Sequence, residues 1–443
     1  MMRSGSKQDI GIIGAGWAGL AAAVELTHAG HGVTLYESAK FAGGRARRIE
    51  TEHGVFDNGQ HLLIGAYSET LRLMETVSPE SSATGFLRLP LTLDYPDGVM
   101  LRAPRLPAPL HLAAALLLAR GFSLAEKMAA INFIRTLQKT DFRPDGPDSV
   151  AEAIADQPEK VRRFLWEPLC VAALNTPVKL ASFKVFARVL KDSLTGSPSN
   201  SDFLIPRQDL TSLFPEPAIY WLKRHGATIK LSHRISALKS ENAGWKTCLD
   251  TGENAQHDAI IIATSPIHAS TLLDSLPGCP PISLQLKEIR YQPIVTVYVE
   301  YPVTLHFRTP LTGWVDPVPL FIFDMHATHG RKGVVAAVAS AEGPHLDWND
   351  DRWLVEIHNR MAQALGPLPA PMLIKRITEK RATFTCAPKT VRPPHTTPCK
   401  GLYLAGDYVD GPYPATLEGA VRSGVQCAQL LIRHHESELP TPA

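Results

Sequence analysis

Apolar positions fall along this chain in two rhythms. Short runs of strand length, namely Ile10, Ile12 and Ile13, then residues 33–36, 259–263 and 402–405, each stop at a glycine, an acid or a turn segment. Runs of that length predict strands buried on both faces, as in a parallel sheet. Period-two alternation over 228–231, 233–238 and 245–249 predicts half-exposed strands that include an inserted hairpin. Helical spacing covers the alanine-rich segment up to His28, patches at 110–139, 150–165 and 178–193, the stretch around 353–365, and a last helix opening near Ala415 to Leu417. Further strands are expected at 294–299 and 334–339.

At 443 residues the chain exceeds one hydrophobic core, so two to three units of roughly 100–200 residues each are expected. The order strand, helix, strand at the start and strand, helix at the end predicts a discontinuous α/β domain of Rossmann-like type over 8–75, 196–270 and 396–435. Segments 76–195 and 271–395 read as an inserted α+β substrate-binding domain with a helical cap. No internal repeat or low-complexity segment interrupts them.

The first strand, its turn and its helix carry chemistry. Gly14, Gly16 and Gly19 fall at G-x-G-x-x-G spacing, and each has a physical reason. Gly14 permits the tight turn, Gly16 lets the backbone approach a pyrophosphate, and Gly19 lets the helix pack closely on the sheet. Trp17 and Ala18 open that helix, whose free N–H groups and partial positive charge suit a diphosphate. Glu37 follows Gly19 by eighteen residues, where a carboxylate accepts ribose hydroxyls. An adenine dinucleotide is therefore expected. Gly43, Gly44 and Arg45 favour FAD over NAD: the glycine pair brings backbone close to a phosphate and the guanidinium can fork onto it.

The other end of the chain supplies the complement. Gly406 and Asp407 follow a strand, and Thr416 and Leu417 open a helix whose amino terminus can face a flavin's electron-rich N1 and O2 edge. Asp407 is expected at a ribityl hydroxyl or the diphosphate. The backbone of Ile235 is expected near the adenine, with Ala263 ending a strand beside the first one.

Between the apolar flanks of GVFDNGQHLLIGAY stand Asp57, Asn58, Gly59, Gln60 and His61. A polar block in apolar surroundings needs partners or a ligand. His61 titrates near neutrality and is a candidate proton donor, with Asp57 to orient it. Asn58 and Gln60 could bond the flavin's pyrimidine edge or a substrate oxygen, and a purely structural or flavin-contact role for His61 stays open. Glu167, on an expected cap helix, is a second candidate acid if an apolar pocket keeps it protonated, against a surface or capping role.

A net charge of +2 gives no electrostatic footprint for nucleic acid. Six cysteines without C-x-x-C spacing predict free thiols, a reducing cytoplasmic setting and no metal site. The start, MMRSGSKQDI, does not read as a secretory signal. The longest apolar run, APLHLAAALLLA at 108–119, falls short of a span, which needs about 20 residues. With Arg102, Arg105, Arg120 and Lys127 around it, this run predicts either a peripheral contact at the inner face of the cytoplasmic membrane or a buried cap helix.

The amino-terminal motif, the segment from Gly226 to Pro266 and GDYVDGPYPATLEGAVRSG together resemble the FAD-dependent amine oxidase and phytoene desaturase superfamily over nearly the whole chain. DNGQHLLIGAY, FLWEPLCVAALNTPVKLAS and the carboxyl-terminal motif look closer still to the hydroxysqualene dehydroxylases of bacterial squalene and hopanoid synthesis. The resemblance implies a Rossmann-like FAD-binding domain of amine oxidase and glutathione reductase type. It implies a lipophilic C30 isoprenoid substrate and reductive removal of its hydroxyl, with hydride from flavin N5 quenching an allylic cation. The absence of a second G-x-G-x-x-G in a strand-to-helix setting leaves the electron donor unidentified. This chain departs from its relatives in DFLIPRQDL, where Arg207 and Gln208 replace the glycines of a P-x-G-G turn. It also lacks the paired aromatics usual before the last motif of amine oxidases, where it reads CAPKTVRPPHTTPCK. Two other readings remain: a desaturase or oxidase of a polyisoprenoid or amine, and a non-catalytic flavoprotein scaffold for terpenoid enzymes.

Overall fold

The computed structural model describes residues 7–241 and 244–438. Five parallel strands form its centre, in the order Thr228–Leu231, Gly32–Glu37, Asp9–Ile13, Ala259–Ile262 and Leu402–Leu404. Successive side chains of a strand point to opposite faces, and the isoleucines divide accordingly. Ile10, Ile12 and Ile261 pack with the helices Trp17–His28 and Leu417–Glu438, while Ile13, Ile260 and Ile262 join the cluster on the other face. The two helices cross closely, because a Cβ on Gly424 would stand 2.1 Å from the Ala18 carbonyl oxygen. This crossing brings the two ends of the chain together beside the glycine turn.

A second sheet is antiparallel, in the order Leu311–Trp314, Leu320–Asp324, Val334–Ser340, Tyr291–Glu300 and Met372–Phe384. Val295, Val297, Val299, Ile322 and Val335 bury one face against the helix Asp350–Leu365. The opposite face presents Ile294, Phe321, Phe323 and Val338 to a cavity. Along the edge strand Met372–Phe384 the register slips: Ile294 pairs with Glu379 and Gln292 with Thr383, so residues 380–382 stand opposite Pro293 alone. Pro293 has no N–H to offer a partner, and the neighbouring strand bulges there.

The cap departs from the sequence pattern in its breaks. The patch at 110–139 is two helices, Leu110–Leu118 and Leu124–Lys139, separated at Gly121 with φ +81 and restarted by the reciprocal cap of Ser123 and Glu126. The patch at 150–165 begins as Val150–Ala153 and resumes at Glu159–Val161, then passes through a wide turn at Arg162–Trp166 into Glu167–Leu174. Asn175, at φ +44, ends it. The third patch starts later than its spacing suggests, at Phe183–Leu194, because Ser182 caps it. The strand expected from His233 begins at Ile235, since Ser232 takes φ +59 and turns His233 back onto the Leu231 carbonyl.

Candidate active site

One cavity of about 820 Å³ runs from the carboxyl ends of the parallel strands to the cap. Its dinucleotide end tests the glycines one at a time. Gly14 has φ +105, and a Cβ there would lie 2.7 Å from the Ala263 carbonyl oxygen. A Cβ on Gly16 would meet no protein atom within 4 Å and would project into open space. That is the condition for backbone to approach a phosphate. Gly43 donates its N–H to the Ala15 carbonyl at 2.8 Å, so the two glycine turns lie side by side. The Glu37 carboxylate accepts from Ala15 N and Ala39 N, each at 2.8 Å, which fixes it at the cavity wall.

Gly14, Gly16, Trp17, Ala18, Glu37, Gly43, Gly44 and Arg45 line this cavity together with Asn58, Gly59, Gln60 and His61. So do Ile235, Ala263, Gly406, Asp407, Thr416 and Leu417, from the far parts of the chain. Gly19 lies behind the wall, where its Cβ would come 1.9 Å from the Gly14 carbonyl oxygen. The residues present thus fit an adenine dinucleotide with its ring between the two chain ends.

Two expectations, for Asp57 and Glu167, need correction. Arg45 lines the cavity, where its guanidinium pairs with Asp407 at 2.7 Å and donates to the Ala382 carbonyl at 2.7 Å. Asp57 does not orient His61. Its carboxylate turns away from the cavity, is 3% exposed, and accepts from Leu210 N at 2.8 Å. Burial pushes its pKa up to about 8, opposed by the Leu210 hydrogen bond and aided by nearby Asp209. Glu167 lies outside the cavity, whose wall is made by its neighbours Pro168 and Leu169. Arg207 and Gln208, which stand where relatives carry glycines, are not among the lining residues, and Gln208 donates to the Ser212 carbonyl.

His61 Nδ1 stands 2.6 Å from the Gly59 carbonyl, an acceptor, so Nδ1 carries the proton. Burial holds the imidazole below its ordinary pKa, the Gly59 bond opposing and the Arg45 charge assisting. A neutral ring with its proton on Nδ1 offers only a lone pair at Nε2. His61 is therefore placed as a hydrogen-bond acceptor and not as a ready acid. Gln60 is 7% exposed, and neither its amide oxygen nor its nitrogen has a partner. A buried primary amide without partners is costly unless a ligand completes it.

Other residues reach the cavity without any local signal. Glu379 comes from the edge strand and accepts from Asn58 Nδ2 at 3.3 Å. Tyr408, inside the carboxyl-terminal motif, has a buried and unpartnered hydroxyl. Tyr413 donates to Asp192 at 2.7 Å, linking the flavin-side loop to the cap helix Phe183–Leu194. Toward the cap the wall is mostly apolar, including Leu169, Ala173, Phe186, Leu190, Phe321 and Phe323. Helical spacing on the cap and alternation on the sheet produce that wall; only their meeting was hidden.

A parallel sheet with a dinucleotide turn at one end, closed over by an antiparallel sheet and a cap, defines a flavin-dependent oxidoreductase. The model of the family described as flavin containing amine oxidoreductase matches residues 17–432, and the chain belongs to that family. Its cofactor is FAD. The chain is 27% identical over 437 residues to the hydroxysqualene dehydroxylase of Sinorhizobium fredii, covering 96% of this chain and 98% of that one. It is 29% identical over 448 residues to the hydroxysqualene dehydroxylase of Rhodopseudomonas palustris, again with 96% and 98% covered. Among solved structures, cyclohexylamine oxidase from Brevibacterium oxydans superposes with a TM-score of 0.68 at 17% identity, covering 97% of this chain and 100% of that one, and shares its fold.

Proposed function

We propose that this enzyme removes the hydroxyl of hydroxysqualene reductively and yields squalene, in bacterial squalene and hopanoid synthesis. The observation that carries the proposal is the cavity wall, which toward the cap is mostly apolar, with Gln60 and its unpartnered buried amide among the few polar residues along it. A long hydrocarbon with one hydroxyl matches that distribution, and the full-length relatives bear the name of this activity. Bound reduced FAD would supply both the hydride and the proton with which the hydroxyl leaves as water, ending as oxidised FAD. His61 Nε2 would accept a hydrogen bond from the hydroxyl, and the cap keeps water from the reacting carbon. Anaerobic mixing of the reduced protein with hydroxysqualene is expected to reoxidise the flavin and release squalene in a single turnover. If neither flavin oxidation nor squalene is seen, the proposal falls.

The same reading favours delivery of the substrate from a bilayer. Among the described residues no helix is long and apolar enough to cross one. The helix Leu110–Leu118 has one buried face, with His111 and Ala115 each 1% exposed, and one bare face. Leu110, Leu117, Leu118 and Leu124 are 60%, 48%, 70% and 70% exposed, and Arg102, Arg105 and Arg120 are exposed around them. An apolar patch rimmed by basic groups suits an anionic lipid surface. Replacing Leu117 and Leu118 together by Glu is expected to weaken co-sedimentation with anionic liposomes at least tenfold, since two leucines contribute about 2–3 kcal/mol. Leu116 packs against the core and is left in place. Unchanged co-sedimentation would remove the docking surface.

A further inference from the structure

Two turns far apart in sequence press against each other near the edge strand Leu402–Leu404 of the parallel sheet. The first follows the helix Pro266–Leu273, where Gly278 takes φ +73 and Cys279 N donates to the Leu276 carbonyl at 3.1 Å. The second leads into the edge strand, with Leu402 N donating to the Cys399 carbonyl at 3.1 Å and Thr397 Oγ1 donating to the Leu402 carbonyl at 2.9 Å. A Cβ on Gly278 would stand 3.2 Å from Pro398 Cβ, so the turns are in contact. At this contact Cys279 Sγ lies 3.4 Å from Cys399 Sγ, and Cys399 Sγ donates to the Pro277 carbonyl at 3.2 Å.

The two sulfurs differ in access. Cys279 is buried and Cys399 half-buried, so an oxidant arriving from solvent meets Cys399 first. Burial pushes the Cys279 thiol up, and the Cys399 sulfur beside it adds to the shift. Cys279 therefore keeps its proton until its neighbour has reacted. Among the described residues no group of three His, Cys, Asp or Glu side chains could hold a metal ion, which leaves the pair the chemistry of a dithiol. Each turn is anchored to a wall of the cavity. On one side Ser283 Oγ donates to the Ser270 carbonyl at 3.1 Å and Lys287 pairs with Asp274 at 2.7 Å. These contacts fix the helix Pro280–Lys287, which Cys279 opens, to the helix that brings Thr271 and Leu272 to the cavity. On the other side Cys399 leads through the edge strand to Gly406 and Asp407.

We propose that Cys279 and Cys399 are a reversible modification site, closing to a disulfide that ties the edge strand of the parallel sheet to the pair of helices beside it. Hydrogen peroxide is the oxidant. The Cys399 sulfur attacks one peroxide oxygen and the O–O bond breaks, leaving a sulfenic acid, while the other oxygen takes the thiol proton and departs as water. The Cys279 sulfur then attacks the Cys399 sulfur, the S–O bond breaks, and the hydroxyl leaves with the Cys279 proton as a second water. Two thiols lose two electrons and peroxide accepts them. A dithiol reductant restores the pair by exchange. Free thiols are then the reduced form of this site, and an edge strand, which opens more readily than a central one, gains a covalent tie. The proposal is independent of the substrate.

The test treats the purified holoenzyme with a small molar excess of hydrogen peroxide, alkylates the remaining thiols and maps the peptides by mass spectrometry. One linked pair, Cys279 with Cys399, is expected, and it should disappear with dithiothreitol; Cys248, the other half-buried cysteine, should be alkylated in both states. Because the bridge closes a long loop, the oxidised protein is expected to melt roughly 5 °C higher, and dithiothreitol should reverse the rise. Cys399→Ser and Cys279→Ala should each abolish both the link and the shift. Cys399→Ser, at the half-buried position, carries the comparison if Cys279→Ala fails to fold. Both thiols remaining alkylatable after peroxide would overturn the proposal, as would oxidation of Cys399 to sulfinic acid with Cys279 left free. A link that forms without changing the melting temperature would overturn the tie.

Discussion

Asp57→Asn is expected to stabilise the folded protein, by an amount that grows with pH. The Asp57 carboxyl ionises in the fold only at about 8, against about 3.9 in an unfolded chain. Between those two values the unfolded state releases a proton that the folded state keeps, so stability contributed by Asp57 declines as pH rises through that window. The decline is about 1.4 kcal/mol per pH unit and reaches on the order of 5 kcal/mol near pH 8. Asparagine cannot ionise in either state, yet its side-chain oxygen can still accept from Leu210 N. Denaturation of wild type and variant with saturating FAD should therefore give curves that meet near about pH 4 and separate steadily toward about pH 8. A difference that does not change with pH would mean that the folded carboxylate is already charged. Because Asp57 faces Leu210 and not the cavity, the variant should also keep its flavin.

Asp57 also marks the limit of what the sequence makes legible. The polar block at 57–61 stands out because its flanks are apolar, but its division between wall and core depends on which way each residue points. Asp57 closes the strand Gly54–Asp57, and neighbours in extended chain face opposite sides. Asn58 consequently meets the cavity while Asp57 meets the start of another helix. The glycine turns and Glu37 were readable for the opposite reason: a diphosphate and a ribose impose residue types at fixed spacing, whatever surrounds them.

Arg45 shows what spacing leaves out. Its position after two glycines is local information, whereas Asp407 is 362 residues away in sequence and captures it only once both chain ends have folded. Glu379 is harder still. Its strand alternates like any edge strand, and the bulge that distinguishes residues 380–382 is created by Pro293 on the neighbouring strand. In the cap, apolar spacing was sufficient to locate helices, but the breaks follow from Gly121, Ser123, Ser182 and Asn175, whose backbone angles and caps carry no hydrophobic signal.

Gly16→Ala and Gly19→Ala, three residues apart in one motif, are expected to fail in different ways. The added methyl at position 16 meets no protein atom within 4 Å, so the flavin-free variant should fold and melt like wild type. Its methyl occupies the space through which backbone reaches the diphosphate, and FAD binding should fall by at least a hundredfold. At position 19 the methyl would stand 1.9 Å from the Gly14 carbonyl oxygen and 3.2 Å from the Ala263 side chain. Relief requires the helix Trp17–His28 to move off the sheet, and that helix is also tied to Leu417–Glu438 at the Gly424 crossing. Overpacking of this kind against rigid backbone costs about 3 kcal/mol or more. The flavin-free form of Gly19→Ala should melt well below wild type, and FAD should be lost as a consequence. Melting curves of both proteins without flavin separate the two causes: equal curves for the two variants would show that the close contact at Gly19 yields without cost, and that both glycines act only through the ligand.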